Sequence, residues 1–213
     1  MTSSSSVDPN LRSAVKDVKV EFFYSKSKKA KDIILAGDVF WKRYLSNFQN
    51  VPGALSWDGH LFPNVEHAFH YEKFKRSNKP ELGLRYVGVP SSFSTNAKAK
   101  IFSGRKTMRA NGATLDIDRW NRDRVDVNES LLKARFATDE KFRVILRESH
   151  AKNVRLLHFE RGSLKRPPFW GALKLKNNGK IIGKNMLGKQ LMNLLNLNLH
   201  LNLIQGTPCD KQQ

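Results

Sequence analysis

Trp57-Asp58-Gly59-His60-Leu61-Phe62-Pro63-Asn64-Val65-Glu66-His67-Ala68-Phe69-His70-Tyr71-Glu72-Lys73-Phe74 decides how this chain folds. Trp57-Asp58-Gly59-His60 reads as a hairpin turn within a strand pair spanning Ala54 to Phe62. Pro63-Asn64 reads as the start of a helix, which the spacing predicts from about Asn64 to Arg76. A strand pair therefore runs straight into a helix. That helix carries Glu66 and Lys73 seven residues apart, and a step of seven at 3.6 residues per turn returns to nearly the same face about 10 Å along the axis. The two side chains can flank one small pocket.

Outward from this segment, Val20 to Tyr24 has strand character, and Lys26 to Lys31 forms a basic, serine-containing loop that is either solvated or touches phosphate. Residues 1 to 16 are serine-rich and aperiodic and are expected to be disordered, with residues 202–213 as a C-terminal tail. Downstream, Pro80 to Gly104 reads as short helical pieces capped at Ser94-Thr95-Asn96, and Gly104-Arg105 closes that segment. A longer helix is predicted from about Asp118 to Ala137, with Trp120, Val127, Leu131, Leu132, Ala134 and Arg135 along it. The next runs from Thr138-Asp139-Glu140 to about Ser149, and its stripe of Phe142, Ile145 and Leu146 is ordinary core. Val154 to Phe159 reads as a strand, Asn177-Asn178-Gly179 as the turn of a second hairpin, and Asn185 to Leu201 as a leucine-rich last helix. Two small strand pairs among many helices give an α+β class, helix-rich, with one domain over residues 17–201.

Composition narrows the function classes. The 213 residues and 39% hydrophobic content suit one domain with a proper core. Lys and Arg total 38 against 19 acidic residues, a formal charge of +19, which makes nucleic acid the leading partner class on electrostatics. A basic surface that merely maintains solubility is the competing reading. Cys209 is the lone cysteine, so neither an intrachain disulfide nor a cysteine zinc site can form. With no secretory leader and no apolar run long enough to span a bilayer, the expectation is an intracellular protein, cytosolic or nuclear, with no membrane partner.

Four separated segments, taken together, resemble the NADAR (YbiA-like) family: Tyr44-Leu45-Ser46-Asn47-Phe48, Pro63-Asn64-Val65-Glu66-His67, Phe169-Trp170-Gly171 and Gly183-Lys184-Asn185-Met186-Leu187-Gly188. Their order, the spacing from Glu-His to Lys-Phe, the Gly104-Arg105 pair and the helical Trp120 match as well, over roughly Phe22 to Leu195. The resemblance implies a YbiA-like fold and cleavage of N-glycosidic bonds between a ribose carbon and an exocyclic amine. Substrates in such a family are either phosphorylated ribosylamino-pyrimidines near riboflavin synthesis or ADP-ribosylated guanine in nucleic acid. The charge favours the second, because a polymer rewards a basic surface more than a small monophosphate does.

The chemistry follows from the bond. An exocyclic N-glycoside is an aminal, which cleaves through an oxocarbenium-like state or by ring opening to a protonated imine. Both routes need a proton donor and relief of positive charge at the sugar carbon, and a carboxyl group suits these tasks, so Glu66 is the acid/base candidate. A neutral Lys73 can attack the imine and carry the sugar as a Schiff base, given burial or nearby positive charge to lower its pKa. A surface ion pair is the alternative for both residues. Expected substrate contacts are Ser46, Asn47, Phe48, His70, Arg105, Trp120, Trp170, Gly171, Gly183 and Asn185. Trp120 would stack on a base or pack in the core, Arg105 would bind phosphate, and Asn47 would hold ribose or fix a loop. Gly183, Asn185 and Gly188 would offer free helix N–H groups to an anion beside Lys184, or make a tight turn for packing.

His67 and His70 lie three apart, but no clear third ligand accompanies them, so no metal and no cofactor are expected. Some relatives carry an acidic residue just before Trp-Gly, where this chain has Arg166-Pro167-Pro168-Phe169. Either Glu160 substitutes from earlier in that loop, or one carboxylate works with the lysine. The expectation is therefore a monomeric hydrolase that takes ADP-ribosylated guanine in DNA or RNA and releases ADP-ribose. A pyrimidine N-glycosidase and a non-catalytic binding module are the alternatives.

Overall fold

The computed structural model describes residues 18–205, with side chains to Leu195. In chain order the elements are β1 (Lys19–Phe23), α1 (Trp41–Tyr44), β2 (Leu55–Trp57), β3 (His60–Phe62) and α2 (Val65–Phe74). A 3₁₀ segment (Pro80–Tyr86) follows, then α3 (Asn96–Phe102), α4 (Arg105–Ala110), α5 (Ile117–Thr138) and α6 (Glu140–Ala151). β4 (Val154–His158), β5 (Leu173–Lys174), β6 (Ile181–Ile182) and α7 (Met186–Gln205) complete the order. The class is α+β, as expected. The N-terminal segment expected to be disordered and the final residues from 206, Cys209 included, lie outside the described residues.

The hairpin and helix at the centre form for local reasons. Asp58 and Gly59 both have positive φ, at 50° and 72°, the geometry of a tight hairpin turn whose two central residues favour Asp-Gly. Leu55 then pairs with Phe62 across the hairpin. Asn64 caps α2, its side chain accepting the His67 N–H at 3.1 Å, an arrangement worth about 1 kcal/mol. Val65, Ala68 and Phe74 from this helix are completely buried and pack against the 3₁₀ segment and α5. Residues 66, 69 and 73 form the line on α2 that stays half-buried, so Glu66, Phe69 and Lys73 face a common groove.

The sheet topology goes beyond the two strand pairs expected. β2 and β3 make the first hairpin, β5 and β6 the second, and β1 pairs in parallel with β4, Lys19 opposite Val154 and Phe23 opposite His158. A parallel pair cannot be closed by a short turn, so no local signal announces it. α7 packs on β4, α5 and α6, and the helix α5 lies against α2 on its other side. One hydrophobic cluster runs through the helices, the 3₁₀ segment and β1 to β4, while the β5–β6 hairpin lies outside it.

Two boundaries and one short helix differ from expectation. Gly104 does not close a segment but caps α4, in extended conformation at φ −66° and ψ 141°. Short α1 follows from Trp41, whose ring is buried and whose indole N–H donates to the Ile33 carbonyl at 2.7 Å. The lysine-rich stretch before it is thereby packed down through Ala30, Ile33 and Leu35, leaving Lys26, Lys28, Lys29 and Lys31 exposed to solvent. The last helix continues through Gln205, past the expected end at Leu201, and no glycine or proline stands between Leu201 and Gln205 to stop it.

Candidate active site

Glu66 stands on the first turn of α2 with its side chain 16% exposed. Its Oε1 lies 3.2 Å from His70 Nε2, and the helical step from 66 to 70 makes this pair possible. Burial raises the Glu66 carboxyl, but the hydrogen bond and charge of His70, with Lys100 and His158 beyond, outweigh it and hold the group below the usual carboxylate range. The carboxylate form is therefore the resting one.

Lys73 stands further along the same face, with its Nζ donating to the Ser103 carbonyl at 2.6 Å. Burial lowers its pKa, the Arg105 charge lowers it further, and Glu66 opposes both. A neutral amine keeps one lone pair after such a donation, so the Ser103 contact orients the nitrogen without consuming its nucleophilicity. Arg105 itself is exposed at the start of α4, on the wall of a cavity of about 120 Å³ shared with Met108, Arg109 and Thr114.

Between these groups the groove is aromatic. Phe69 lies 4.8 Å from the Trp120 ring and 5.5 Å from Trp170, the latter edge-on at 89°. Trp120 is 5% exposed, so it belongs to the core while forming the groove wall. Trp170 is half-buried and meets Phe169 edge-on, and Phe169 in turn lies under Arg124 (4.2 Å) and Lys184 (5.3 Å). Lys100 sits 5.9 Å from the half-buried Phe48 ring. Stacking surfaces rimmed by cations suit a nucleobase and a phosphate.

The Tyr44–Phe48 loop reaches this groove because α5 grips it. Arg135, with no solvent exposure, donates to the carbonyls of Ser46 (3.1 Å) and Tyr44 (2.8 Å) and pairs with Asp139 at 3.0 Å. The Ser46 hydroxyl accepts the Phe48 N–H at 3.2 Å, so Ser46 shapes the turn. The Asn47 carbonyl accepts the Glu66 N–H at 3.0 Å, tying the loop to the first turn of α2, and the Asn47 side chain donates to Asn128 at 3.0 Å.

Gly183 and Asn185, expected to touch substrate, hold the neighbouring loop instead. The N–H groups of Lys184, Asn185, Met186 and Leu187 donate to the carbonyls of Pro168, Gly171, Phe169 and Trp170, so the start of α7 is filled by chain and offers no free N–H row to an anion. The Asn185 side chain donates to Leu156 at 3.0 Å and accepts the His158 N–H at 2.9 Å. Gly183 sits at φ 115°, and a Cβ there would meet the Gly171 carbonyl at 2.5 Å. Gly171 is buried, its N–H received by Glu160 at 2.7 Å, which occupies the carboxylate considered as a second acid. The tight-turn reading is the one this geometry supports.

His67 points away from the groove. Its Nδ1 donates to the Asn64 amide oxygen (2.9 Å), and the ring packs on Tyr86 and Phe93 and is pushed down to about 4 by burial and the His70 charge. Among the described residues no group of three or more His, Cys, Asp or Glu side chains could hold a metal ion. His158, by contrast, joins the site unforeseen. It ends β4, is pushed down to about 4 by burial against the opposing pull of Glu66, and hydrogen-bonds the Trp170 backbone. Its one sequence signal is a polar ring closing the apolar strand Val154-Arg155-Leu156-Leu157-His158, at the carboxyl end where parallel strands place ligands.

Fold and groove together define a helix-rich α+β domain of YbiA-like form, with its polar side chains gathered around α2. The NMR structure of the E. coli protein YbiA is similar, with a TM-score of 0.57 at 20% sequence identity over 92% of this chain and 96% of that one. That likeness supports the fold expected from the motifs. No family model matches the chain, and no curated protein matches it. No helix among the described residues is long and apolar enough to cross a membrane.

Proposed function

We propose that the protein is an N-glycosidic hydrolase of the NADAR family that removes ADP-ribose from ADP-ribosylated guanine in DNA or RNA. The observation that carries the reading is the common face of Glu66 and Lys73 on α2, the one a carboxylate bonded to His70, the other an amine with a lowered pKa, with Phe69, Trp120 and Trp170 between and beside them. The surplus of 38 basic over 19 acidic residues favours a nucleic-acid substrate over a small one.

The electrostatics divide the labour. Glu66, held ionised, stabilises positive charge at the ribose carbon and receives a proton, and the His70 ring bonded to it is placed to pass one on. Ring opening breaks the C1′–O bond and leaves a protonated imine to the guanine amine. The Lys73 amine adds to C1′, the C1′–N bond to guanine breaks as that nitrogen takes a proton, and the sugar remains as a lysine imine. Water then adds to C1′ and releases the lysine, and the ring closes to free ADP-ribose.

Mass spectrometry of a guanine-ADP-ribosylated oligonucleotide incubated with the purified protein tests this directly. The expected products are the unmodified oligonucleotide and ADP-ribose. An intact oligonucleotide in the presence of folded protein, with cleavage of phosphorylated ribosylamino-pyrimidines, would assign the smaller substrates instead. Binding of ADP-ribose with no turnover of either would make the domain a binding module.

A further inference from the structure

Behind the groove lies a chain of three amides whose direction is fixed at its far end. The Val125 carbonyl can only accept, and Gln190 Nε2 donates to it at 2.8 Å. Gln190 Oε1 must then face α5, where it receives Asn128 Nδ2 at 2.7 Å. Asn128 Oδ1 is left to receive Asn47 Nδ2 at 3.0 Å. Each amide thus sets the orientation of the next, and what remains at the groove end is the Asn47 oxygen. Asn128 is 1% exposed and Gln190 3%, so solvent does not compete for these bonds.

The Asn47 Oδ1 atom is buried and receives no hydrogen bond from the described residues. It belongs to a residue whose backbone carbonyl holds the Glu66 N–H at 3.0 Å. An acceptor so placed, withheld from the rest of the protein by a chain that cannot reverse without turning the Gln190 oxygen onto the Val125 carbonyl oxygen, is matched to a donor brought by a ligand. In an N-glycoside the donor beside the reacting carbon is a ribose hydroxyl, and a hydrogen bond to it strengthens as charge develops at that carbon.

We propose that Gln190 and Asn128 are positioning residues that lock Asn47 as the acceptor for a hydroxyl of the ribose being released. The inference rests on the groove of Glu66 being the sugar site. It makes Asn47 a specificity determinant, since an acceptor there draws the hydroxyl proton and so relieves positive charge at the neighbouring carbon, whereas an inverted amide would offer N–H groups to the hydroxyl oxygen and oppose that charge.

The test uses the full chain and two variants. Gln190→Leu frees Asn128 to turn over, so the Asn47 amide inverts. Adding Asn128→Asp to it restores, at a pH where that carboxylate is ionised, a group that can only accept and with it the original orientation. Calorimetric affinity for ADP-ribose and kcat/KM on the modified oligonucleotide are expected to fall on the order of 10-fold in Gln190→Leu and to recover in the double variant. The Asn47 side-chain N–H protons, followed by NMR, are expected to exchange slowly in the wild type, fast in Gln190→Leu and slowly again in the double variant. Unchanged affinity and unchanged exchange in folded Gln190→Leu would overturn the proposal. Should Gln190→Leu not fold, Asn47→Ala removes the acceptor at the half-buried end of the chain, and wild-type ADP-ribose affinity there would overturn it equally. A wild type that binds ADP-ribose but turns nothing over would defeat the hydrolase reading alone, while the order of affinities would still uphold the relay. Absence of ADP-ribose binding by the wild type would defeat both.

Discussion

His70 Nε2 lies 3.2 Å from Glu66 Oε1, one turn along the same helix, and this contact sets the protonation state of the groove. A carboxylate that burial alone would protonate stays ionised because a ring N–H faces it. Under the proposed reaction Glu66→Gln keeps the size and hydrogen-bonding reach of the side chain and removes its charge and basicity. The rate of ADP-ribose release is expected to drop about 10²-fold or more, with the melting temperature little changed. Near-normal turnover by this variant would take Glu66 out of the chemistry.

Lys73 is expected to form a covalent link to the sugar. Borohydride added during turnover should leave a reduced sugar–protein adduct in the wild type and none in Lys73→Ala, read by intact-protein mass spectrometry. An actively turning-over enzyme that yields no adduct would point to direct attack by water.

The pH profile of kcat/KM should carry both groups. On the acid side, activity is lost as pH falls through the Glu66 pKa, which lies below the ordinary carboxylate value near 4.3. On the alkaline side, activity rises as Lys73 deprotonates, with a midpoint below the ordinary lysine value of about 10.4 because of burial and the Arg105 charge. Arg105→Gln removes one cause of that lowering, so the alkaline midpoint should move up. A midpoint unmoved by the substitution would disconnect Arg105 from Lys73.

Stability should also depend on pH through the buried histidines. His67 and His158 are both pushed down to about 4 by burial, from an ordinary value near 6.5. Between those values the unfolded chain binds protons that the folded one refuses, so stability is fully present above pH 6.5 and is lost as pH falls toward 4. For His67, 3% exposed, the change is about 3 kcal/mol. Urea denaturation across this range is expected to show the slope, and His67→Gln to flatten part of it. A flat profile in the wild type would mean that the rings are solvated.

Arg135→Ala leaves the buried Asp139 carboxylate without its cation and takes a donor from the Tyr44 and Ser46 carbonyls, of which Ser46 keeps the Gln49 N–H. The expected cost is about 3–5 kcal/mol in denaturant unfolding. Because Arg135 stacks 4.1 Å from Phe142 as well, Arg135→Met paired with Asp139→Leu should recover a good part of it by packing. Loss of less than about 1 kcal/mol in Arg135→Ala would show that the Tyr44–Phe48 loop stands without this support.

The central hairpin and α2 were legible because their signals are local. Asp58-Gly59 makes the turn, Asn64 caps the helix, and the face shared by Glu66 and Lys73 follows from helical spacing. The long helices α5 and α6 likewise announce themselves through their apolar stripes. What remained hidden depends on residues distant in sequence. The parallel pairing of β1 with β4 has no turn to mark it, and His158 enters the site only through that pairing. Arg135 and Asn128 sit within a stripe that reads as plain core, and their roles appear only when the Tyr44–Phe48 loop lies against them. The start of α7 shows the reverse case, since Gly183 and Asn185 carry the look of an anion cradle that the Pro168–Gly171 carbonyls in fact occupy.

The ribbon that joins Lys19–Phe23 to Val154–His158 has a kinetic meaning. Its two strands stand far apart in sequence, so closing it is an ordering step with a large loop-entropy cost and a high contact order. On a ribosome β1 waits until nearly the whole domain has emerged, and His158, with the Asn185 contact that holds it, is set in the same late event. A chain that stops before β4 carries Glu66, Lys73 and Trp120 but neither His158 nor Trp170. The groove is thus assembled from segments remote in sequence and is complete only once the second half of the chain has folded onto the first.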